Sequence, residues 1–197
     1  MTSLSFWFDF ASTYSYPAAL RIDEWASARG VSVVWRPILL GPIFADQGWR
    51  NSPFNIYPAK GKYMWRDLER LCAAENLPFL RPDPFPQHSV LAGRVATALE
   101  GEARARFCRA VFAGEFGCGR SIDSPEFIAG VLRDQDLPAD SLQRAGSDEV
   151  KAALKSSVDE ARALGVFGAP SFTTANGELF WGFDRLATAL DWARDRA

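Results

Sequence analysis

Apolar and polar positions alternate at the start of the chain, where Leu4, Phe6, Phe8 and Phe10 interleave with Ser5, Trp7 and Asp9. A period of two with apolar residues on both faces predicts a central strand covered from both sides. From Tyr14 the spacing lengthens to three and four residues through Tyr16, Ala19, Leu20, Ile22 and Trp25, and Gly30 closes the segment. That is the spacing and the stop signal of a helix. "VSVVWRP" predicts a second strand, stopped by Pro37. A strand, a helix and a strand joined this closely make a β-α-β unit with parallel strands.

The C-terminal third returns to the same style. "DEVKAALKSSVDEARALG" places Val150, Leu154, Val158, Ala161 and Leu164 on one helical stripe, stopped by Gly165. "SFTTANGELFWG" predicts a hairpin around Asn176-Gly177, a strong two-residue turn signal. "DRLATALDWARDR" predicts a closing amphipathic helix, for which Asp184 is a plausible N-cap. Between these ends, "KGKYMWRDLERLCAAENL", "SVLAGRVATALEGEARARFCRAVFAGEF" and "SPEFIAGVLRDQDL" are helical by period, and a Pro-rich break falls at "RPDPFP". The order is β-α-β, a helical middle, then α-β-β-α. The fold class is therefore α/β, a thioredoxin-like domain from residues 1–42 and 146–197 with a large all-α insertion at 43–145.

Composition narrows the function. The 22 basic residues against 24 acidic ones carry no basic excess for nucleic acid. No run of about 18 apolar residues is present to span a membrane, and the N-terminus shows no basic leader of a signal peptide; a cytoplasmic location is the default expectation. Cys72, Cys108 and Cys118 are odd in number and widely spaced, which suits neither a disulfide framework nor a zinc site. His88, the one histidine, falls at a predicted helix start, where such a residue is most often a surface or capping group. Cys72 and Cys108 sit in apolar helical patterns as small core residues.

Two segments carry candidate chemistry. At the junction of the first strand and helix stands Ser12-Thr13-Tyr14-Ser15. The plain reading makes Ser12 or Thr13 an N-cap. The alternative notes that a thioredoxin-like fold keeps its C-x-x-C motif there, and that both cysteine positions are serine in this chain. A helix N-terminus offers free N–H groups and partial positive charge to an anion. A serine at that point offers a hydroxyl to another molecule's thiolate. The second segment is "GVFGAPSF", where Pro170 is either an ordinary trans turn proline or the cis-proline that thioredoxin-like domains hold against the active site.

Together "FDFASTYSY", "RPILLGPIF", "NSPFNIYPAKGKYMWRDLER", "GVFGAPSF" and "FWGFDRL" resemble the 2-hydroxychromene-2-carboxylate isomerases and the related kappa-class glutathione transferases, DsbA-type thioredoxin-like proteins. The resemblance covers essentially the whole chain in order. It implies glutathione as cofactor, a homodimer, a cytoplasmic setting and a small aromatic enone or hydroxychromene as substrate. It also implies site residues: Ser12 activates the thiol, and Asn51 (with Asn55 a nearby second candidate) and Lys60 hold the tripeptide. Ala169, before Pro170, pairs with its cysteinyl backbone, while Asp184 and Arg185 meet its γ-glutamyl end. A solvated surface lysine and a plain helix cap are the simpler readings of Lys60 and Asp184.

Departures from the family are Thr13, where proline is frequent, the small Ala169, and Phe183, which replaces a residue that is often polar and is expected to reshape the pocket. Trp49, Phe54, Tyr57 and Trp65 are candidates for a flat aromatic pocket. Serines at both motif positions argue against a disulfide oxidoreductase. A kappa-class transferase and a non-catalytic thioredoxin-like binding module stay open as alternatives.

Overall fold

Four strands form one sheet in the order β2-β1-β3-β4, with β1 (Ser3–Phe8) and β2 (Ser32–Pro37) parallel. β3 (Ser171–Thr174) runs antiparallel to β1, and β4 (Leu179–Trp181) antiparallel to β3. The computed structural model describes residues 2–196; Met1 and Ala197, the outermost residues of the expected thioredoxin-like domain, lie outside them. α1 (Ser15–Ser27) links β1 to β2 as the crossover. Pro37 can end β2 without loss because β2 is an edge strand, where a missing N–H breaks no ladder.

The middle of the chain is helical, as its periodicity predicts: α2 (Leu40–Asp46), α3 (Pro53–Ile56), α4 (Pro58–Ala74), α5 (Val90–Ala98), α6 (Gly101–Phe112), α7 (Pro125–Asp134) and α8 (Ser141–Arg144). A π turn at Ala113–Gly117 prolongs α6. α9 (Asp148–Ala163) leads back to β3, and α10 (Leu186–Asp195) follows a 3-10 turn at Phe183–Arg185.

Two local expectations are corrected, and one helical stretch is divided. The long "SVLAGRVATALEGEARARFCRAVFAGEF" pattern is two helices, because Leu99 and Glu100 turn extended and Gly101 takes a positive φ of 51°. Asn176-Gly177 does not make a two-residue turn. The Gly177 N–H donates to the Thr174 carbonyl (3.0 Å) and Thr174 N–H to Glu178 (3.0 Å), closing a three-residue loop with Gly177 at φ 85°. Such a loop needs a left-handed residue at that position, which glycine supplies. Asp184 does not cap α10: Arg185 occupies the cap position, and no side chain bonds there.

β1 is covered on both faces. On one, Phe6, Phe8 and Phe10 meet Trp35, Phe112 and Phe172 in edge-on and offset contacts, with centroids between 4.9 and 5.8 Å. On the other, Trp7 packs with Ile38, Val158 and Ala161, and its indole N–H donates to Thr173 Oγ1 at 2.8 Å. Val150, Leu154, Val158 and Ala161 are buried as the stripe on α9 predicts, while Leu164 lies past the helix and is exposed.

Phe8 touches the rings of Phe6, Phe10, Trp35 and Phe112, so its loss leaves a cavity that cannot easily collapse. Phe8→Ala is expected to cost about 3–5 kcal/mol of unfolding free energy. Tyr63→Ala, at a side chain 61% exposed, is expected to stay within about 0.5 kcal/mol of the parent. Urea titrations of the three proteins check both values; equal midpoints for Phe8→Ala and the parent would contradict the packing account.

Candidate active site

The turn after β1 is fixed by Asp9, a residue buried where the strand ends. Its backbone carbonyl accepts from Ser12 N–H at 2.9 Å. Its carboxylate accepts from the Ala11 N–H at 3.0 Å and the Leu40 N–H at 2.7 Å, so one side chain ties this turn to the start of α2. Ser12, itself buried, points across to the β3 side: its hydroxyl donates to the Ala169 carbonyl at 2.9 Å. The Ala169–Pro170 bond is cis, as the position of Pro170 suggests. The N-cap reading is set aside, because Tyr14 occupies the cap of α1 and no side chain bonds there. Ser15, the second serine, is the first residue of α1, fully buried and without a partner for its hydroxyl among the described residues.

Ser12, Thr13 and Ala169 form one wall of a cleft of about 1150 Å³. The helical middle supplies a second part of the lining, which includes Asn51, Phe54 and Lys60. Of the two asparagines, Asn51 lines the cleft. Its Oδ1 accepts from Asn55 Nδ2 at 3.1 Å and from Ser52 N–H at 2.7 Å. Lys60 stands over the Tyr57 ring, 4.8 Å from its centre. This wall is held at α4 by Gly61: a Cβ there would sit 2.3 Å from the Phe54 carbonyl oxygen, so only glycine lets α3 lie so close to α4.

The aromatic lining differs from expectation. Trp49 and Phe54 belong to it, whereas Tyr57 is outside it and Trp65 packs against Phe79 and Phe85 with Arg81 over its ring. Phe44, Phe85, Phe167 and Trp181 complete it; nothing in their local sequence marks them, since they are brought together by chain crossings. Asp184 and Arg185 are exposed, pair with each other at 2.9 Å, and stand outside the cleft wall, where Asp184 is near enough to act on Tyr14. Phe183 faces away from the cleft and stacks on Trp25 in the core, 5.7 Å between centres. Its apolar character is thus explained by packing, and the expected reshaping of the pocket is not found.

The charges around this cleft are uneven. Arg50, Lys60 and His88 line it, with Asp9 in its floor. Burial raises the Asp9 carboxyl above its ordinary range, against the lowering effects of the Ser89 hydroxyl, the Leu40 and Ala11 N–H groups and His88. Behind it lies Glu115, in the π turn, fully buried with neither oxygen partnered among the described residues. Desolvation, then the Asp9 charge, pushes Glu115 well above the usual carboxylate range. The thiols are no nucleophiles for this site. Burial raises Cys72 to about 11 and Cys108 still further, and no cysteine lines the cleft among the described residues.

Comparisons with known proteins bear on the family and the fold. The model of the DSBA-like thioredoxin domain matches residues 3–191. A 2-hydroxychromene-2-carboxylate isomerase of Sphingobium xenophagum is 30% identical over 190 residues, 93% of this chain and 94% of that protein. Glutathione S-transferase kappa 1 of Homo sapiens is 24% identical over 93% of this chain and 87% of its own length. A solved structure of a 2-hydroxychromene-2-carboxylate isomerase superposes with a TM-score of 0.88 at 24% identity, covering 98% of this chain and 95% of that one.

The buried acid pair has a measurable consequence. As pH rises above about 4.5, the ordinary value of a glutamate, the unfolded chain releases the Glu115 proton while the folded chain keeps it. The folded state then binds more protons, so stability falls with rising pH, by up to about 1.4 kcal/mol per pH unit for one whole proton. Asp9 acts in the same direction. Glu115→Gln removes this share: the variant is expected to gain on the parent between pH 5 and pH 8, with the difference closing or reversing toward pH 4. Denaturant midpoints at the three pH values check it, and parallel pH dependences would refute it.

Proposed function

We propose that this chain, which belongs to the 2-hydroxychromene-2-carboxylate isomerase family of DSBA-like thioredoxin-domain proteins, is a glutathione-dependent isomerase. It interconverts 2-hydroxychromene-2-carboxylate and trans-o-hydroxybenzylidenepyruvate. The observation that carries the reading is the Ser12 hydroxyl, aimed at the carbonyl before cis-Pro170 at the N-terminus of α1, in a cleft lined by no cysteine of the described residues.

The residues present suit glutathione. Its thiol meets a hydroxyl donor and the positive end of a 13-residue helix. Its glycyl carboxylate meets Lys60 and the amide of Asn51. The γ-glutamyl end carries one ammonium and one carboxylate, and the Asp184–Arg185 pair offers one partner to each. The Ala169 backbone beside Pro170 pairs in β fashion with the cysteinyl residue. When bound, the thiolate supplies a reversible conjugate addition that leaves a carbon–carbon double bond single long enough to rotate.

Ser12 redirects its proton from the Ala169 carbonyl to the sulfur, stabilising the thiolate; one such donor is commonly worth about 3–4 kcal/mol. Trp49 and Phe54 hold the aromatic ring of the substrate, and the cationic side of the cleft draws in its carboxylate. The same reading makes the protein a cytoplasmic homodimer in aromatic compound catabolism.

Ser12→Ala is expected to lower turnover at least tenfold, with thermal melting near that of the parent. It is also expected to weaken the ultraviolet absorbance of bound thiolate. Turnover within twofold of the parent would remove Ser12 from the mechanism. Ring opening assayed with and without added glutathione tests the function itself: the rate should vanish without the tripeptide. Accumulation of a stable glutathione conjugate would instead favour a transferase, and calorimetry showing no glutathione binding would favour neither enzyme.

A further inference from the structure

The isomerase reading leaves one step without a residue. A hydroxychromene carboxylate is a cyclic hemiketal, and its ring opens only when the hemiketal hydroxyl loses a proton and the departing phenol oxygen gains one. Ser12 is committed to the sulfur. Lys60 and Arg50 are donor-only side chains with no lone pair to accept a proton, and none of the four tyrosines lines the cleft. Asp9 lies in the floor, with its carboxylate engaged by two backbone N–H groups.

His88 remains. It is the single histidine of the chain, exposed, and part of the cleft wall that Ser12 shares. Its place is fixed from both sides. The Gln87 side chain before it is buried and accepts from the Ile122 N–H at 2.7 Å. Ser89 after it is buried and lines the same cleft. Asp9 in turn holds the Ser12 N–H through its carbonyl at 2.9 Å. His88 and Ser12 thus line one cleft, and Asp9, which holds the Ser12 turn, is near enough to His88 for their charges to interact.

We propose that His88 carries the proton between the hemiketal hydroxyl and the phenol oxygen as the hydroxychromene ring opens and closes. This rests on the isomerase reading given above. In the opening direction an imidazole nitrogen takes the hydroxyl proton, the carbonyl forms as the bond to the ring oxygen breaks, and that oxygen takes the proton back. Closure is the reverse, and no net proton or electron is exchanged. Imidazole is the side chain best suited to both halves near neutrality. The titratable and charged groups around it are Asp9 from the end of β1, with the protonated Glu115 behind Asp9, and Lys60 and Arg50 elsewhere in the cleft lining. Asp9 offsets the charge that the imidazole acquires.

The test compares His88→Gln with the parent on two substrates: the hydroxychromene carboxylate, and a cis-benzylidenepyruvate lacking the ortho-hydroxyl, which has no ring to open. The ratio of the first rate to the second should fall at least tenfold in the variant. A ratio within twofold of the parent, whether both rates drop together or neither does, would overturn the proposal. A second readout needs no glutathione. The imidazole C2–H signal of a one-histidine protein is unique, and titration with chromone-2-carboxylate, an unreactive analogue, should shift it; an unmoved signal would also overturn the proposal. If the parent turns over neither substrate with glutathione, the isomerase reading itself falls, and this inference with it.

Discussion

The hydrogen bond from Ser12 to the Ala169 carbonyl joins residues 157 positions apart, and the cleft exists where it does because of that junction. A hydroxyl and a carbonyl cannot hold two distant segments by themselves, since one such bond contributes only about 1 kcal/mol net. The sheet does the holding. β1 and β3 pair antiparallel with Trp7 opposite Ser171, so the turn leaving β1 and the turn entering β3 emerge side by side at one end of the sheet. Ser171 then donates its hydroxyl to the Gly168 carbonyl at 2.8 Å, fixing the entry turn. The aromatic packing that stabilises β1 is therefore also what sets the reach of Ser12.

Asp9 gives the same corner a second constraint. A buried carboxylate is costly unless its oxygens are satisfied, and here two N–H groups from different segments meet them. The helical middle is thereby anchored to the turn that carries Ser12 through Leu40. Glu115 has no such partners, and neutrality at ordinary pH is the way a carboxyl survives in that position. The two acids differ in their surroundings: one is a structural anchor that faces the cleft, the other an uncharged filler behind it.

The elements were readable in the sequence because each follows from local periodicity: the two-residue alternation of Phe6, Phe8 and Phe10, the α9 stripe, and the all-helical middle. Breaks that depend on backbone conformation were less so; Gly101 divides a pattern that is helical on both sides. The roles of single side chains diverged further. Phe183 looks like a change in the pocket from its place beside Asp184, but it is a core residue because the 3-10 turn directs it at Trp25. Trp65 carries an aromatic signature yet packs inward. Phe167, Trp181 and His88 reach the cleft through tertiary crossings alone, which no local spacing encodes.

The choice of serine at position 12 has a consequence for where reactive sulfur can reside. A helix N-terminus stabilises a thiolate whether the sulfur is the chain's own or a ligand's. With cysteines at positions 12 and 15, the chain's own sulfur would be activated and open to disulfide exchange. With Ser12 and Ser15 the stabilising field is present and the internal sulfur is absent, while Cys72 and Cys108 are buried where a thiolate is disfavoured. On the isomerase reading, the thiolate can then leave with the cofactor or be expelled from the substrate without forming a bond to the protein. That suits a reaction whose nucleophile must be returned unchanged.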